Sequence, residues 1–145
     1  MELKHMSIAA VMVALSAASA AAQTVHVFKD AGCGCCGGWV AHMRQSGFKV
    51  QATNVMPEQM NALKAKAGIT TDTASCHTAF VEGYVIEGHV PATDVARLLK
   101  TKPDAIGLSV PGMPMGSPGM EGGSPEPYQV LLINGSGSTT IFVEH

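Results

Sequence analysis

The chain has 145 residues, of which 46% are hydrophobic and 14% are charged, with a formal net charge of −2. This length fits one domain with a sizeable core, and the near-neutral charge gives no electrostatic case for nucleic-acid binding. The body of the chain has no apolar run long enough to predict an internal membrane span. Sulfur is the unusual feature, because 9 Met and 4 Cys occur in a chain that is only 5% aromatic.

The first 22 residues have the pattern of a cleaved export signal. Lys4 precedes a short apolar run, and small residues follow it, so cleavage is expected after Ala20 or Ala22. An uncleaved anchoring helix is disfavoured because the apolar run is too short to span a bilayer. We therefore predict an export signal at residues 1–22 and a single domain at residues 23–145, with no membrane contact after cleavage. Export places the domain in a compartment that permits disulfides, and the signal is typical of the periplasm of a Gram-negative bacterium.

The remaining pattern predicts an α/β domain. In chain order the expected elements are a strand at 25–29, a helix at 39–46, a strand at 48–55, a helix from 57 closed by Gly68, a hairpin at 78–86 and a helix at 91–100. The glycine-rich residues 30–38 are expected to be irregular. This order is that of a thioredoxin-like unit, whose first strand–helix junction carries three of the cysteines.

Two further segments follow the thioredoxin-like unit. Residues 111–127, called the methionine segment below, are rich in Gly, Pro, Ser and Met and predict a loop. Residues 128–134 and 139–143 flank a Gly-Ser-Gly turn and predict a second hairpin. The predicted fold is therefore a thioredoxin-like α/β fold with an added C-terminal β-hairpin on the same sheet.

The four cysteines carry the chemistry. Cys33, Cys35 and Cys36 stand within four residues, beside glycines that let the backbone fold closely around whatever the sulfurs hold. They also precede a helix, whose N-terminus lowers the pKa of nearby thiols. Cys76 is expected at the start of a central strand, which a thioredoxin-like topology brings towards the first helix N-terminus. The four thiols are therefore expected to meet.

Three interpretations of these thiols stay open. Two ordinary disulfides would suit an exported protein, and four cysteines allow three pairings. Cys33 and Cys36 form a C-x-x-C, which indicates thiol–disulfide exchange, although a third thiol at Cys35 would divert it. A metal site is favoured because adjacent thiolates can bridge several soft ions, and Cu(I) is the soft ion that thiolates and thioethers prefer. Zinc usually draws on two separated cysteine pairs, and an iron–sulfur cluster is seldom exported by the general route.

Other candidate ligands are weaker. Met113, Met115 and Met120 lie in the methionine segment, where thioether contacts to copper compete with a simple covering role. His77 follows Cys76 directly, and if both were in a strand its side chain would point to the other sheet face, so ligand and supporting roles stay open. His26, His89 and His145 are expected to be structural. His42 and Met43 of the first helix are expected in the core or at the surface, and Trp39 is expected to anchor that helix in the core.

Four motifs together resemble the CopG-like periplasmic copper-resistance proteins. They are Cys33-Gly-Cys35-Cys36-Gly-Gly-Trp39, Cys76-His77-Thr78, Glu87-Gly88-His89-Val90-Pro91-Ala92 and Gly107-Leu-Ser-Val-Pro-Gly-Met113-Pro. The resemblance covers about residues 24 to 145. It implies a thioredoxin-like fold and a role in copper tolerance. It also implies a compact multinuclear Cu(I) cluster bound by four cysteines, which by motif position are Cys33, Cys35, Cys36 and Cys76.

The function expected from the sequence is copper binding in copper resistance or homeostasis. Its partners would be copper ions and other periplasmic copper-handling proteins. Reduced thiolates would bind Cu(I), and oxidation to disulfides would release it, which couples copper occupancy to redox state. The alternative is a thioredoxin-like thiol–disulfide oxidoreductase that uses Cys33 and Cys36. A metal-binding protein is favoured over an enzyme.

Overall fold

The computed structural model describes residues 22–145, so the predicted export signal lies outside the described residues except for its last position. The elements within them are β1 (Thr24–Lys29), α1 (Gly34–Gln45), β2 (Lys49–Asn54), α2 (Pro57–Lys66), β3 (Thr78–Val81), β4 (Tyr84–Glu87), α3 (Ala92–Thr101), β5 (Gly107–Ser109), β6 (Gln129–Ile133) and β7 (Thr139–Glu144). None of these helices is long and apolar enough to cross a membrane.

The strands of residues 22–145 form one seven-stranded sheet in the order β2-β1-β3-β4-β5-β6-β7. β1 runs parallel to β2, and β4 runs parallel to β5, whereas the other neighbours are antiparallel. The predicted α/β class is confirmed, and β6 and β7 form the predicted second hairpin on the same sheet. The thioredoxin-like assignment stays a prediction. Strand β5 is absent from the predicted elements.

Alternate residues of the central strands pack on opposite faces of the sheet. Ile86 of β4 lies in a large core with Trp39 of α1 and Leu98 of α3. Its neighbour Val85 lies in a smaller core with Ile69, which follows α2. Helices α1 and α3 therefore cover one face of the sheet, and the α2 region covers the other.

Helix α1 begins at Gly34, five residues before the predicted start. The prediction that residues 30–38 are irregular is therefore wrong for residues 34–38. Cys33 is the N-cap, and its sulfur accepts a hydrogen bond from the backbone N–H of Cys36 at 3.3 Å. Trp39 anchors the helix as predicted, being 0% exposed and donating its Nε1–H to the carbonyl oxygen of Val90 at 2.8 Å. Tertiary packing thus overrides the weak helix propensity of the glycines.

Strand β3 begins at Thr78, so the prediction that Cys76 starts a strand is wrong. Pairing between β3 and β4 ends at Thr78 and Glu87. Beyond that point the Glu87 side chain, rather than a neighbouring strand, accepts the backbone N–H of Ser75 at 2.7 Å. Cys76 and His77 therefore lie in an irregular loop, residues 74–77, and do not alternate across the sheet.

Candidate metal centre

The structure brings the four cysteines together. Their sulfur atoms all lie within 4.8 Å of one another. Cys35 Sγ is 3.5 Å from Cys33 Sγ and 3.9 Å from Cys76 Sγ, and Cys36 Sγ is 3.5 Å from Cys76 Sγ. Helix α1 supplies Cys35 and Cys36 from its first turn, and the loop before β3 supplies Cys76. Two distant parts of the chain thus build one sulfur cluster.

Two of the four thiols are oxidised in this structure. Cys33 and Cys36 form a disulfide, with their Cα atoms 5.3 Å apart, whereas Cys35 and Cys76 are free. Only deprotonated thiols bind metal ions. The disulfide must therefore be reduced before all four sulfurs can act as ligands.

The protonation of Cys76 is set by its surroundings. Burial raises the pKa of the Cys76 thiol to about 11, and the negative charge that Cys35 can carry adds to the rise. Cys76 is therefore a neutral thiol at pH 7 in the metal-free protein. A bound cation must displace its proton, because the ligand form is the thiolate.

His89 lies directly against the cluster, although the sequence indicated a structural role. Its Nδ1–H donates to the carbonyl oxygen of Pro118 at 2.7 Å, which leaves Nε2 as the unprotonated nitrogen. That Nε2 lies 3.0 Å from Cys76 Sγ. Burial lowers the pKa of His89, which favours this neutral form. The lone pair of an imidazole therefore points at the sulfur cluster.

His77 is a second imidazole at the site. It is 0% exposed, with Nδ1 3.5 Å from Cys76 Sγ, and among the described residues its Nε2 has no hydrogen-bond partner. Burial, followed by the positive charges that His89 and Lys64 can carry, lowers the pKa of His77 to about 3. One nitrogen from each histidine and the sulfur of Cys76 lie within 4.8 Å of one another, so a metal ion could be held by nitrogen and sulfur together.

The methionine segment contributes one sulfur. Met113 Sδ lies 3.9 Å from Cys35 Sγ, and the Met113 side chain is half exposed. Met115 instead lies over Gly123, where an added Cβ would collide with it. For Met120 the contacts found are backbone hydrogen bonds with Ser117 and Gly116. Met113 is thus the candidate thioether ligand among the three predicted methionines.

The methionine segment is held against the start of α1 by a close backbone approach at Gly119. A Cβ on Gly119 would lie 2.5 Å from the carbonyl oxygen of Cys35 and 2.8 Å from the backbone nitrogen of Trp39. The φ angle of Gly119 is +92°, a value that residues other than glycine rarely adopt. This approach also presents the Pro118 carbonyl to His89.

Comparison with known proteins gives a consistent family assignment. A family model described as a protein of unknown function, DUF411, matches residues 73–120. A solved structure named copper resistance protein CopG, form 2, is 40% identical, with a TM-score of 0.79 and coverage of 86% of this chain and 99% of that one. Form 1 of the same name is also 40% identical, with a TM-score of 0.80 and coverage of 86% and 98%. No curated protein sequence matches. The chain belongs to the CopG family of copper resistance proteins.

Proposed function

We propose that this protein holds copper as Cu(I) through the thiolates of Cys33, Cys35, Cys36 and Cys76, as part of copper resistance in the periplasm. The observation that carries the proposal is the approach of four sulfurs to within 4.8 Å of one another. With metal–sulfur bonds of about 2.3 Å, two thiolates at a tetrahedral ion lie about 3.8 Å apart. Outside the disulfide-bonded Cys33–Cys36 pair, the sulfur–sulfur separations of 3.5 to 3.9 Å in the structure agree with shared ions.

Charge balance favours several copper ions over one. Four reduced thiolates in a partly buried site carry four negative charges, and an unneutralised buried charge is costly. A single Cu(I) would leave most of that charge, whereas several monovalent ions bridged by the sulfurs remove it. Thiolate is also the ligand type that selects Cu(I). The cargo that fits is therefore a compact multinuclear Cu(I) cluster.

Two further donors extend the proposed ligand set. His89 Nε2, at 3.0 Å from Cys76 Sγ, offers a neutral imidazole nitrogen, and Met113 Sδ, at 3.9 Å from Cys35 Sγ, offers a thioether. Both are copper ligands by type. They lie beside different sulfurs, Cys76 and Cys35, so each would join the coordination of copper bound at that sulfur.

The Cys33–Cys36 pair gives copper binding a redox control. When a disulfide on a partner protein exchanges with the copper-binding pair, the two thiolates pass two electrons to the partner, the partner's S–S bond breaks and the Cys33–Cys36 bond forms, and the partner's new thiolates take up protons from water. Two of the four ligands are then lost, and copper is released to other periplasmic copper-handling proteins. Reduction by a partner dithiol reverses the step and restores the site.

The same disulfide at a helix N-terminus favours one alternative, a thiol–disulfide oxidoreductase that uses Cys33 and Cys36. Cys35→Ser separates the two functions, because it removes a copper ligand and keeps the C-x-x-C pair. We expect the reduced parent to bind copper with thiolate-to-copper charge-transfer absorbance, Cys35→Ser to lose most of it, and both to reduce insulin poorly. Metal-free insulin reduction that survives Cys35→Ser would contradict copper holding and favour the alternative.

A further inference from the structure

A buried ion pair lies behind the sulfur cluster, on the α2 face of the sheet. Glu87 of β4 is 0% exposed and pairs with Lys64 of α2. Its Oε2 accepts the hydroxyl hydrogen of Thr78 at 2.6 Å, and Lys64 Nζ donates to the same hydroxyl oxygen at 2.9 Å. The second carboxylate oxygen, Oε1, accepts the backbone N–H of Ser75 at 2.7 Å as well as Lys64. The carboxylate thus joins α2, β3, β4 and the loop that carries Cys76.

Stability alone does not account for this pair. Removing two charges from water costs free energy, and replacing a buried ion pair with apolar residues of similar volume is often neutral or stabilising. The position of the pair gives another reason for it. Ser75 immediately precedes Cys76, and Glu87 stands two residues before His89. The carboxylate therefore links the segment that supplies Cys76 to the segment that supplies His89.

The loop at residues 74–77 is positioned by individual hydrogen bonds rather than by pairing with a neighbouring strand. It lies outside β3, and irregular loops are mobile unless other contacts hold them. Before Cys76, Ser75 N–H donates to Glu87, the Ser75 hydroxyl donates to the carbonyl oxygen of Gly112, and Gly112 N–H donates to the carbonyl oxygen of Ala74 at 3.1 Å. After Cys76, Gly88 N–H donates to the carbonyl oxygen of His77 at 3.0 Å. The bond to Glu87 is the one that a buried side chain makes to the backbone of the residue next to Cys76. A Cβ on Gly88 would lie 2.7 Å from the carbonyl oxygen of Val110, so the chain after Glu87 is itself tightly packed.

We propose that Glu87, with Lys64 as its counter-ion, is a positioning residue for the copper site: its carboxylate holds the backbone of Ser75 and so fixes Cys76 Sγ against Cys35, Cys36 and His89. What the site binds rests on the proposed function, but the positioning of Cys76 does not depend on a metal. An acceptor oxygen at position 87 is the required feature, and Lys64 makes a charged acceptor tolerable in a buried place.

A matched pair of variants isolates that acceptor. Lys64→Met/Glu87→Met removes both charges and the acceptor, and its apolar side chains are of similar volume, so the fold should persist. Lys64→Met/Glu87→Gln removes both charges but keeps an amide oxygen for Ser75 N–H. Glu58→Gln, on the exposed first turn of α2, serves as a surface control.

The first measurement is Cu(I) affinity of the reduced proteins under a competing chelator, together with the charge-transfer spectrum. Lys64→Met/Glu87→Met should lose about 10–100-fold in affinity, as expected when a group that orients a ligand is removed. Lys64→Met/Glu87→Gln should recover most of the loss and the parental spectrum. Equal affinities for the two double variants would overturn the proposal.

The second measurement needs no copper. In the protein with the Cys33–Cys36 disulfide intact, iodoacetamide alkylation of Cys76 is compared with that of Cys35 in the same molecule by peptide mass analysis. Loss of the acceptor should raise the rate at Cys76 about tenfold, the size expected for one hydrogen bond, with Cys35 unchanged and the Gln variant close to the parent. An unchanged Cys76 rate in the Met variant refutes the positioning role, whereas failure of the parent to bind Cu(I) refutes only the proposed function.

Discussion

Gly119→Ala tests whether the methionine segment is seated on α1 as the structure has it. The new methyl group would meet two backbone atoms, the carbonyl oxygen of Cys35 at 2.5 Å and the nitrogen of Trp39 at 2.8 Å. Backbone atoms of a helix cannot swing aside as a side-chain tip can, so the segment must move outward. The overlap should cost about 1–3 kcal/mol, in addition to about 1–3 kcal/mol for alanine at a φ of +92°.

Gly47→Ala is the matched control for the backbone term. Gly47 follows α1 with a φ of +93°, and an added Cβ there meets nothing within 4 Å. Urea unfolding of the two metal-free variants should therefore differ by about 1–3 kcal/mol, the overlap term alone. Outward movement would also withdraw Pro118 from His89 and Met113 from Cys35, so Gly119→Ala should bind Cu(I) more weakly than Gly47→Ala. Equal stability and equal Cu(I) affinity of the two variants would show that this contact does not form in solution.

Three further predictions concern single side chains at the site. Cys76→Ser should sharply lower the number of coppers bound per chain by metal analysis, and an unchanged number would mean that Cys33, Cys35 and Cys36 bind copper without it. The pKa of His77 is lowered from 6.5 to about 3 in the folded protein, so the metal-free protein should lose stability as pH falls from 6.5 towards 3. In urea titrations, His77→Phe should lessen that loss by up to about 1.4 kcal/mol per pH unit. The control, His26→Gln at an exposed position, should not lessen it. Met113→Leu should weaken Cu(I) binding and change the charge-transfer spectrum, whereas Met56→Leu, at another exposed methionine, should do neither.

Local sequence was sufficient to predict an element when all of its parts are adjacent in the chain, as a turn and its flanking strands are. The hairpin of β3 and β4 was predictable because Glu82 and Gly83 both adopt positive φ angles, +46° and +86°, as a two-residue hairpin turn requires. The start of α1 was not predictable in this way, since Gly34 would ordinarily disfavour a helix. Strand β5 has three residues and is defined by pairing with β4 and β6, which lie far from it in sequence.

The same distinction holds within the site. Three cysteines in one short run were sufficient to predict a soft-metal site, and the order of the elements predicted that Cys76 lies beside them. His89 lies in one of the four motifs of the family resemblance, but its role was not predictable from the motif, because that role depends on the contacts that place Nε2 beside Cys76 and Nδ1 beside Pro118. The role of Glu87 was likewise not predictable from its place at the end of a strand, because that role depends on the hydrogen bond its carboxylate accepts from Ser75 N–H.

Anaerobic titration of the fully reduced protein with Cu(I), under a competing chelator and with a parallel count of free thiols, tests the central claim most directly. Four reduced thiols should bind two or more coppers per chain, with charge-transfer absorbance that rises until the cluster is filled. Oxidising the Cys33–Cys36 pair should then release copper. Fewer than two coppers per chain, with all four thiols reduced, would contradict the multinuclear Cu(I) cluster.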